Sequence, residues 1–577
     1  MYYSGDSGFL RIGLKMVFYI LFIFVNSCIY FWLGIGYFGY HGIFMVFALL
    51  LWLLIYNGIW GIYNSFLFDL NFHIDIYRWV ELGNILVINM EFEYGLFGLL
   101  LSTIMGIGLF MVLLFIYFEM WDDKEGVIFI LLLVLFVVFM AILVFSGNII
   151  VFYVGWEGIG LVSLFLIGFW SERIRSLKAV FKVFTINKMG DLLILVGIIT
   201  LVSLLGCINF NSLSLLLVYM DYEFYQLNFI GFIVIIFIFG GGVKSSQYGV
   251  HIWLLEAMEA PLGASALMHS STLVVAGILL VYKIYAWVYM SILGSYLLVI
   301  WGSWTALFAA IVACYQFELK VILAYSTISS MGFLYLLLGL GTLEDLLIYL
   351  LIHAFIKIYL FLIVGLLMYI SGGTQDLRWM GGLFSTIPYL FFFYFSGALA
   401  LGGLPYWAGY YCKSALWIYT DNSVGFYCCL RIFLVLSTFY TYLYLGRLGW
   451  LIFGGSRSGP RLVYRFWNIG FSIQIVFLLI WAISLYLLIW WLTWVSSLVY
   501  GSNFIIYFLF SIRHSLNLIM GFESWLVLGL AYSYILYNFI FYYLYWNSAG
   551  WIGIYYYGYF FNGGLFLFWL WIICEFI

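Results

Sequence analysis

The chain has 577 residues, of which 67% are hydrophobic and only 8% are charged, and its formal net charge is −3. Soluble domains carry about 25% charged residues, so this composition predicts an integral membrane protein and excludes a large soluble enzyme. There is no basic region for nucleic acid, and the seven cysteines lack the spacing typical of a metal site or a disulfide framework.

Apolar runs long enough to cross a bilayer as helices recur from Phe18 to the C-terminus. We therefore predict an all-α, polytopic membrane protein with about 13 to 16 transmembrane helices. The first run, near Leu14 to Leu33, is long enough to remain as a helix, so no cleavable signal peptide is expected. An acidic loop from Asp69 to Glu93 interrupts the helices predicted within residues 1–126.

Basic and acidic loops separate onto opposite sides when the predicted spans are counted. The positive-inside rule places the basic side in the matrix or cytoplasm. The basic segments contain Arg173, Arg175, Lys178, Lys182 and Lys188, then Arg378, and then Arg447, Arg457, Arg461 and Arg465.

Four ionisable side chains lie in or at the edge of apolar runs: Glu157, Lys244, Lys357 and Lys413. A charge at the centre of a bilayer costs about 3 kcal/mol on insertion scales, so such residues usually face a protein interior or a water-filled path. Because both signs are present, these four residues predict a route for charge across a membrane.

Glu157, in the segment YVGWEGIGL, is the first of the four. The charge state of a buried carboxylate depends on whether a cation lies nearby. We expect Lys244 to be the partner of Glu157, so that opening and closing the pair moves a proton. The alternative is a structural carboxylate bonded to a neighbouring helix. Lys188 and Asp191 are three residues apart and are expected to form an ion pair that is either structural or part of the proton path.

Lys244 and Lys413 each follow a helix breaker. Gly240, Gly241 and Gly242 precede Lys244, and the segment LGGLP precedes Lys413. Broken helices at corresponding positions of an internal repeat indicate a transport site, although glycine is also frequent in membrane helices for packing reasons. The segment GGGVKSS lacks the spacing of a phosphate-binding loop, so nucleotide binding is rejected.

Three histidines and one lysine are further candidates. His269 lies among small and hydroxylated residues, which allow close helix packing and water. His353 and Lys357 are four residues apart and share a helix face, which suits a two-site proton relay. His251 is expected at the boundary of a span, as an anchor or the mouth of the path. Lys320 is interpreted as either a path residue or a snorkelling lysine at a helix end.

The order of motifs from Phe92 to Arg447 resembles the subunit 5 family of NADH dehydrogenase, the antiporter-like membrane subunits of respiratory complex I. The motifs, in chain order, are GWEGIGL at Gly155, NKMGD at Asn187, KSSQ at Lys244, HIWLLEAMEAPLGASALMHSSTLVVAGILL at His251, LKVILAYSTISSMGF at Leu319, HAFIKIYLF at His353, DLRWMGGL at Asp376 and LPYWAGYYCKSA at Leu404.

The resemblance implies two interlocked five-helix repeats of inverted topology with a central polar axis. It implies a switching pair of Glu157 and Lys244, a relay of His353 and Lys357 with His269 beside it, and a terminal site at Lys413, with Lys188, Asp191, His251 and Lys320 as further candidates. The expected divisions are N-terminal helices in residues 1–126, two antiporter-like halves in 127–285 and 286–450, and C-terminal helices with a possible lateral helix in 451–577.

The same resemblance implies a multi-pass protein of the mitochondrial inner membrane that translocates protons with the other subunits of complex I. FMN, iron–sulfur clusters and ubiquinone are expected in those subunits, with no cofactor or metal in this chain, and lipids such as cardiolipin are expected around it. The alternatives are a subunit of a sodium/proton antiporter and a structural scaffold.

Two departures from the family pattern bear on the site. Lys188 stands where the family usually has Arg, and Ser414 stands where it usually has Asp. The missing acid leads us to expect that another carboxylate supplies the counter-charge of Lys413.

Overall fold

The computed structural model describes residues 72–82, 86–120, 125–206, 208–213, 224–385, 388–404, 407–421 and 426–454. All of them belong to one compact unit of the chain. The helices predicted within residues 1–71, and the C-terminal helices and lateral helix predicted beyond residue 454, lie outside the described residues.

A β-hairpin occupies the segment predicted as an acidic loop. Strands β1 (Phe72–Leu82) and β2 (Leu86–Tyr94) pair antiparallel. The sequence of β2, LVINMEFEY, alternates apolar and polar residues with the period of two that favours a strand. The prediction of an all-α fold is therefore confirmed for the membrane-spanning part and misses this hairpin.

Most of the helices that follow are long and apolar, as the runs predict, and a few are short segments of five to nine residues. In the first part of the chain they are α1 (Leu96–Glu119), α2 (Gly126–Phe145), α3 (Ile149–Ile167), α4 (Ile174–Leu205), α5 (Phe224–Lys244), α6 (Ile252–Glu256), α7 (Leu262–Ser270), α8 (Leu273–Lys283) and α9 (Tyr285–Met290). In the second part they are α10 (Ile292–Tyr315), α11 (Leu319–Leu340), α12 (Leu343–Ile370), α13 (Pro388–Gly402), α14 (Ala408–Asp421) and α15 (Phe426–Phe453).

Within the described residues, eight helical segments are long and apolar enough to cross a membrane. The chain is thus a multi-pass membrane protein. Two series of five helices or helix pairs follow one another: α2, α3, α4, the α5–α6 pair and the α7–α8 pair, then α10, α11, α12, the α13–α14 pair and α15. If each member crosses the membrane once, the second series runs in the opposite direction to the first, as the predicted inverted repeats require. The exact domain limits stay a prediction.

Each series is interrupted at its fourth span, beside a lysine. α5 ends at Lys244, and Ser246 then takes a positive φ of 52°. The backbone groups at this helix end are hydrogen-bonded inside the protein. Trp253 donates its indole N–H to the carbonyl of Val243 at 2.7 Å, and the backbone N–H of Gln247 donates to the carbonyl of Gly242 at 2.9 Å. Thr305 of α10 donates to the Gln247 side chain at 2.8 Å. An unwound segment at this depth is stable because these groups satisfy it.

The crossing of α5 and α8 depends on two glycines in contact. A Cβ atom on Gly277 would overlap the carbonyl group of Gly241. Close approach of membrane helices through small residues is a general packing device, and here it sets the position of the helix end that carries Lys244.

We expect Gly277→Ala to destabilise this crossing by roughly 1–3 kcal/mol, because an added methyl group in a packed core forces the backbone apart. The measurement is the amount of the chain that stays in the assembled membrane complex after graded heating. Gly446→Ala is the matched control, since a Cβ atom at Gly446 meets nothing within 4 Å. Equal heat resistance of the two variants would contradict the prediction.

Candidate functional site

Helices α3, α4 and α5 bring four charged side chains together, which we call the charge tetrad: Glu157, Lys188, Asp191 and Lys244. Lys188 bonds to the Glu157 carboxylate, and its Nζ lies 3.4 Å from Oδ2 of Asp191. Lys244 Nζ lies 3.9 Å from Oδ1 of the same aspartate. The charges therefore alternate in sign along the tetrad, and two carboxylates balance two lysines.

Glu157 and Lys244, the predicted pair, are not in direct contact in the structure, although each lies within electrostatic range of the other. Glu157 bonds to Lys188 and accepts a hydrogen bond from Tyr153 at 2.8 Å, whereas Lys244 lies beside Asp191. The side chains of Lys188 and Glu157 are 37% and 24% exposed, but those of Asp191 and Lys244 are only 4% and 1% exposed. The tetrad thus leads from the surface of the chain into its interior, and Asp191 is the acid at the buried end. The predicted Lys188–Asp191 ion pair is confirmed as a contact.

Trp156 is a residue of this site that sequence reasoning missed. Its indole N–H donates to Oδ1 of Asp191 at 2.7 Å, and its carbonyl accepts a hydrogen bond from Lys244 at 2.5 Å. The Lys244 ammonium also lies 4.0 Å from the centroid of the indole ring. A fully buried Trp needs a hydrogen-bond partner for its N–H. In the sequence, the signal that could have identified Trp156 is its position directly before Glu157, a carboxylate in an apolar run.

A second cluster forms where α7 packs against α12, and it contains the predicted relay residues. Lys357 is fully buried and donates to the Ser326 hydroxyl of α11 at 2.5 Å. His353, one turn earlier on α12, is buried as well, and neither of its ring nitrogens has a hydrogen-bond partner among the described residues. His269 stacks on Phe361 with ring centroids 5.6 Å apart. The helix packing therefore brings His269, His353 and Lys357 into one buried region, as the resemblance implies.

Both ring nitrogens of His269 and the hydroxyl of Ser271 are buried without a hydrogen-bond partner among the described residues. Leaving a buried polar group unsatisfied costs about 1–3 kcal/mol. Such groups therefore fit a place where water is held or a proton passes.

Lys413 is also buried, and its partners are carbonyl groups. Its Nζ donates to the carbonyls of Leu401 and Gly402 at 3.0 and 2.8 Å, and to the Thr441 hydroxyl at 3.3 Å. Among the described residues it forms no ion pair with a carboxylate. The two carbonyls belong to the C-terminal end of α13, where the helix dipole favours a cation. Within the described residues no carboxylate takes the place of the missing acid, and the source of the counter-charge of Lys413 stays a prediction.

The chain is similar in sequence to a known family of membrane proteins. Residues 146–440, about half of the chain, match the family described as "NADH:quinone oxidoreductase/Mrp antiporter, TM". The chain belongs to this family. The tetrad, the histidine–lysine cluster and Lys413 all lie within the matched residues, so the family's shared region contains the whole polar axis.

Two curated relatives are NADH-ubiquinone oxidoreductase chain 5 proteins. That of Paramecium tetraurelia is 37% identical over 380 residues, which cover 64% of this chain and 66% of the relative. That of Metridium senile is 31% identical over 418 residues, which cover 70% and 67%. Other relatives of the same name are covered over about half of their length, for example 52% for Chondrus crispus.

Two solved structures share the fold of this family member. An archaeal membrane-bound sulfane sulfur reductase contains a chain with a TM-score of 0.68 and 19% identity, covering 81% of this chain and 93% of that one. A chain of the Mrp complex from Dietzia sp. DQ12-45-1b has a TM-score of 0.62 and 22% identity, covering 75% and 46%. The predicted antiporter-like helical fold is thereby confirmed.

Of the remaining candidates, Lys320 lies within electrostatic range of His269, and His251 lies at the start of a short helix. His251 precedes α6 within a group of aromatic rings, 5.4 Å from the ring of Phe308. Lys320 is buried and donates to the carbonyls of Met258 and Ala260 at 3.2 and 3.1 Å. The interpretation of Lys320 as a snorkelling lysine is therefore wrong, because its ammonium points into the protein. Within the described residues no group of three or more His, Cys, Asp and Glu could hold a metal ion.

Arg378 and Asp376 form an exposed ion pair outside the membrane-spanning helices. Two hydrogen bonds from Arg378 Nε to the carboxylate measure 2.9 and 3.0 Å. These bonds to Arg378 hold the pKa of Asp376 below its ordinary value. The pair orders the loop between α12 and α13 and takes no part in the buried axis.

Proposed function

We propose that the chain translocates protons across the mitochondrial inner membrane as a membrane subunit of NADH:ubiquinone oxidoreductase, respiratory complex I. The observation that carries the proposal is the series within residues 146–440 of the charge tetrad, the histidine–lysine cluster and the buried Lys413. The names of the curated relatives support the assignment to complex I. NADH oxidation and ubiquinone reduction, with FMN and iron–sulfur clusters, belong to other subunits in this proposal.

The proton path we propose begins at the charge tetrad. Two unit charges 4 Å apart attract each other by about 4 kcal/mol at an effective dielectric constant of 20. Lys244 and Asp191 are 3.9 Å apart, so a small movement of either side chain changes the attraction enough to alter the proton affinity of the lysine. A conformational or electrostatic signal from the rest of the complex would supply this movement.

The second stage is the cluster of His269, His353 and Lys357. Lys357 is within electrostatic range of His269 on one side and of Lys413 on the other. Gln247 and Thr305 are buried polar side chains that share a hydrogen bond of 2.8 Å close to the helix end that carries Lys244, and in this proposal they extend the route from the lysine. Lys413 is the terminal site, where carbonyls and the Thr441 hydroxyl hold the proton-bearing ammonium without a fixed counter-charge.

We propose anionic inner-membrane lipids such as cardiolipin as partners at the basic side. The exposed residues there combine a guanidinium with aromatic rings, the combination found at membrane interfaces. The Arg378 side chain is 65% exposed, and Trp379 and Trp450 are 60% and 74% exposed.

A subunit of a sodium/proton antiporter is the second candidate, and the fold shared with the Mrp complex favours it. Purification of the native assembly that contains this chain, followed by reconstitution into vesicles, separates the two. We expect a multi-subunit assembly that oxidises NADH with ubiquinone and acidifies the vesicle interior in sodium-free buffer. An assembly without NADH oxidation, whose proton movement requires sodium, would overturn the proposal in favour of the antiporter.

A further inference from the structure

Trp156 contacts both charged groups at the buried end of the tetrad, and it is fully buried itself. Its indole N–H donates a hydrogen bond to Asp191. The Lys244 ammonium donates a hydrogen bond to its carbonyl and lies against the face of its ring. Asp191 and Lys244 lie on different helices, α4 and α5, so this α3 residue is inserted between two elements that carry opposite charges.

The contacts of Trp156 compete with the ion pair itself. The Asp191 oxygen that accepts the indole N–H at 2.7 Å is Oδ1, which is also the oxygen nearest to Lys244. The other oxygen, Oδ2, faces Lys188 at 3.4 Å. Lys244 remains 3.9 Å from Oδ1, beyond the 2.7–2.9 Å of a charge-assisted hydrogen bond. Both carboxylate oxygens thus interact with other donors, and Lys244 forms an ion pair with Asp191 without a direct hydrogen bond.

Trp156 also offers Lys244 an alternative site. The ammonium donates to the Trp156 carbonyl at 2.5 Å and lies 4.0 Å from the indole centroid, a distance typical of a cation–π interaction. Both interactions hold the cation without a hydrogen bond to a carboxylate.

We propose that Trp156 is a positioning residue that keeps Lys244 out of direct hydrogen-bond contact with Asp191, so that the lysine can release its proton to the next acceptor. This inference rests on the proposed function. The step moves one proton from the Lys244 ammonium to a neighbouring water or hydroxyl group and leaves a neutral amine. No electron is transferred, because the redox chemistry lies elsewhere in the complex.

The charged groups that face Lys244 are few. From α4 they are Asp191 and Lys188, and from α3 the only one is Glu157. Of the other helices packed against α5, α9 and α10 contain no charged residue, and Lys283 ends α8 against Ser146. A change in pH dependence caused by a substitution at Trp156 can therefore be traced to the tetrad.

The test is Trp156→Phe, which keeps an aromatic ring and the backbone carbonyl but removes the indole N–H. In the assembled complex we expect Lys244 to move into contact with Asp191. NADH-driven proton translocation should then slow about threefold or more, because a proton in a charge-assisted hydrogen bond is harder to move. The alkaline limb of its pH profile should shift upward by about half a unit or more.

Two controls separate a positioning role from a structural one. Trp287→Phe removes an indole N–H that donates to the carbonyl of Leu213 at 3.1 Å, with no charged partner; its pH profile should match the wild type. In an Asp191→Asn background, adding Trp156→Phe should change translocation no further, because both substitutions act on the same contact.

Trp156→Phe and Lys244→Met together distinguish an error in the role of Trp156 from an error in the proposed function. An unchanged pH profile in Trp156→Phe, with translocation lost in Lys244→Met, would overturn the role of Trp156 alone. Unchanged translocation in Lys244→Met would overturn the proposed function. If Trp156→Phe does not assemble, Trp156→Met, which also lacks an N–H or O–H donor and adapts to the space available, is measured against the same two outcomes.

Discussion

Lys357→Met is expected to reduce NADH-driven proton translocation by the assembled complex by about tenfold or more, which corresponds to a barrier increase of about 1.4 kcal/mol. Lys357 is fully buried in the central cluster, between His269 and Lys413. Methionine has a similar length and flexibility, so it fills the same space without a site for a proton. Translocation is measured as vesicle acidification per unit time at matched complex content.

The matched control is Lys182→Met, the same chemical change outside the buried axis. Lys182 is 54% exposed and pairs with Glu256 at the protein surface. A surface ion pair contributes about 1 kcal/mol or less, so translocation should stay within about twofold of the wild type. Equal loss in the two variants would show that removing any lysine impairs the complex, which contradicts a specific role for Lys357.

Asp191→Asn is expected to impair translocation more strongly than Glu157→Gln. Asp191 is the nearest carboxylate to Lys244, and both side chains are almost fully buried. Removing one partner of a buried pair costs on the order of 3 kcal/mol because the other charge is left uncompensated. Glu157 and Lys188 are partly exposed, so water replaces much of their interaction.

We therefore expect a loss of about tenfold or more in Asp191→Asn and a smaller loss in Glu157→Gln. Both substitutions preserve side-chain shape, and translocation is compared at matched amounts of assembled complex so that any loss of stability is separated from loss of transport. If Glu157→Gln abolishes translocation while Asp191→Asn does not, Glu157 is the working partner of Lys244 and the tetrad has a different arrangement during turnover.

The sequence was sufficient to find the buried charges but insufficient to pair them. Glu157, Lys244, Lys357 and Lys413 stand out because a charge in an apolar run is costly. Which acid reaches which lysine depends on how α3, α4 and α5 cross, and the crossing is set by contacts such as that of Gly277 with Gly241. For this reason the residue expected to pair with Lys244 was Glu157, whereas the structure places Asp191 there.

Predictions from residue spacing within one helix were more reliable than predictions of contacts between helices. His353 and Lys357 are four positions apart on one helix, so the sequence predicts that they share a face. The partners of Lys357 and Lys413, which are Ser326 and the carbonyls at the end of α13, come from other helices. Serine hydroxyls and backbone carbonyls are too common in membrane helices to be recognised from the sequence.

The measurement that tests the account most directly is the number of protons translocated per NADH oxidised by complex carrying Lys244→Met. Lys244 is buried at the inner end of the tetrad, and methionine removes its proton without removing its volume. We predict a lower ratio than in the wild type at similar complex content. An unchanged ratio would show that protons do not pass through Lys244 and would contradict the proposed function.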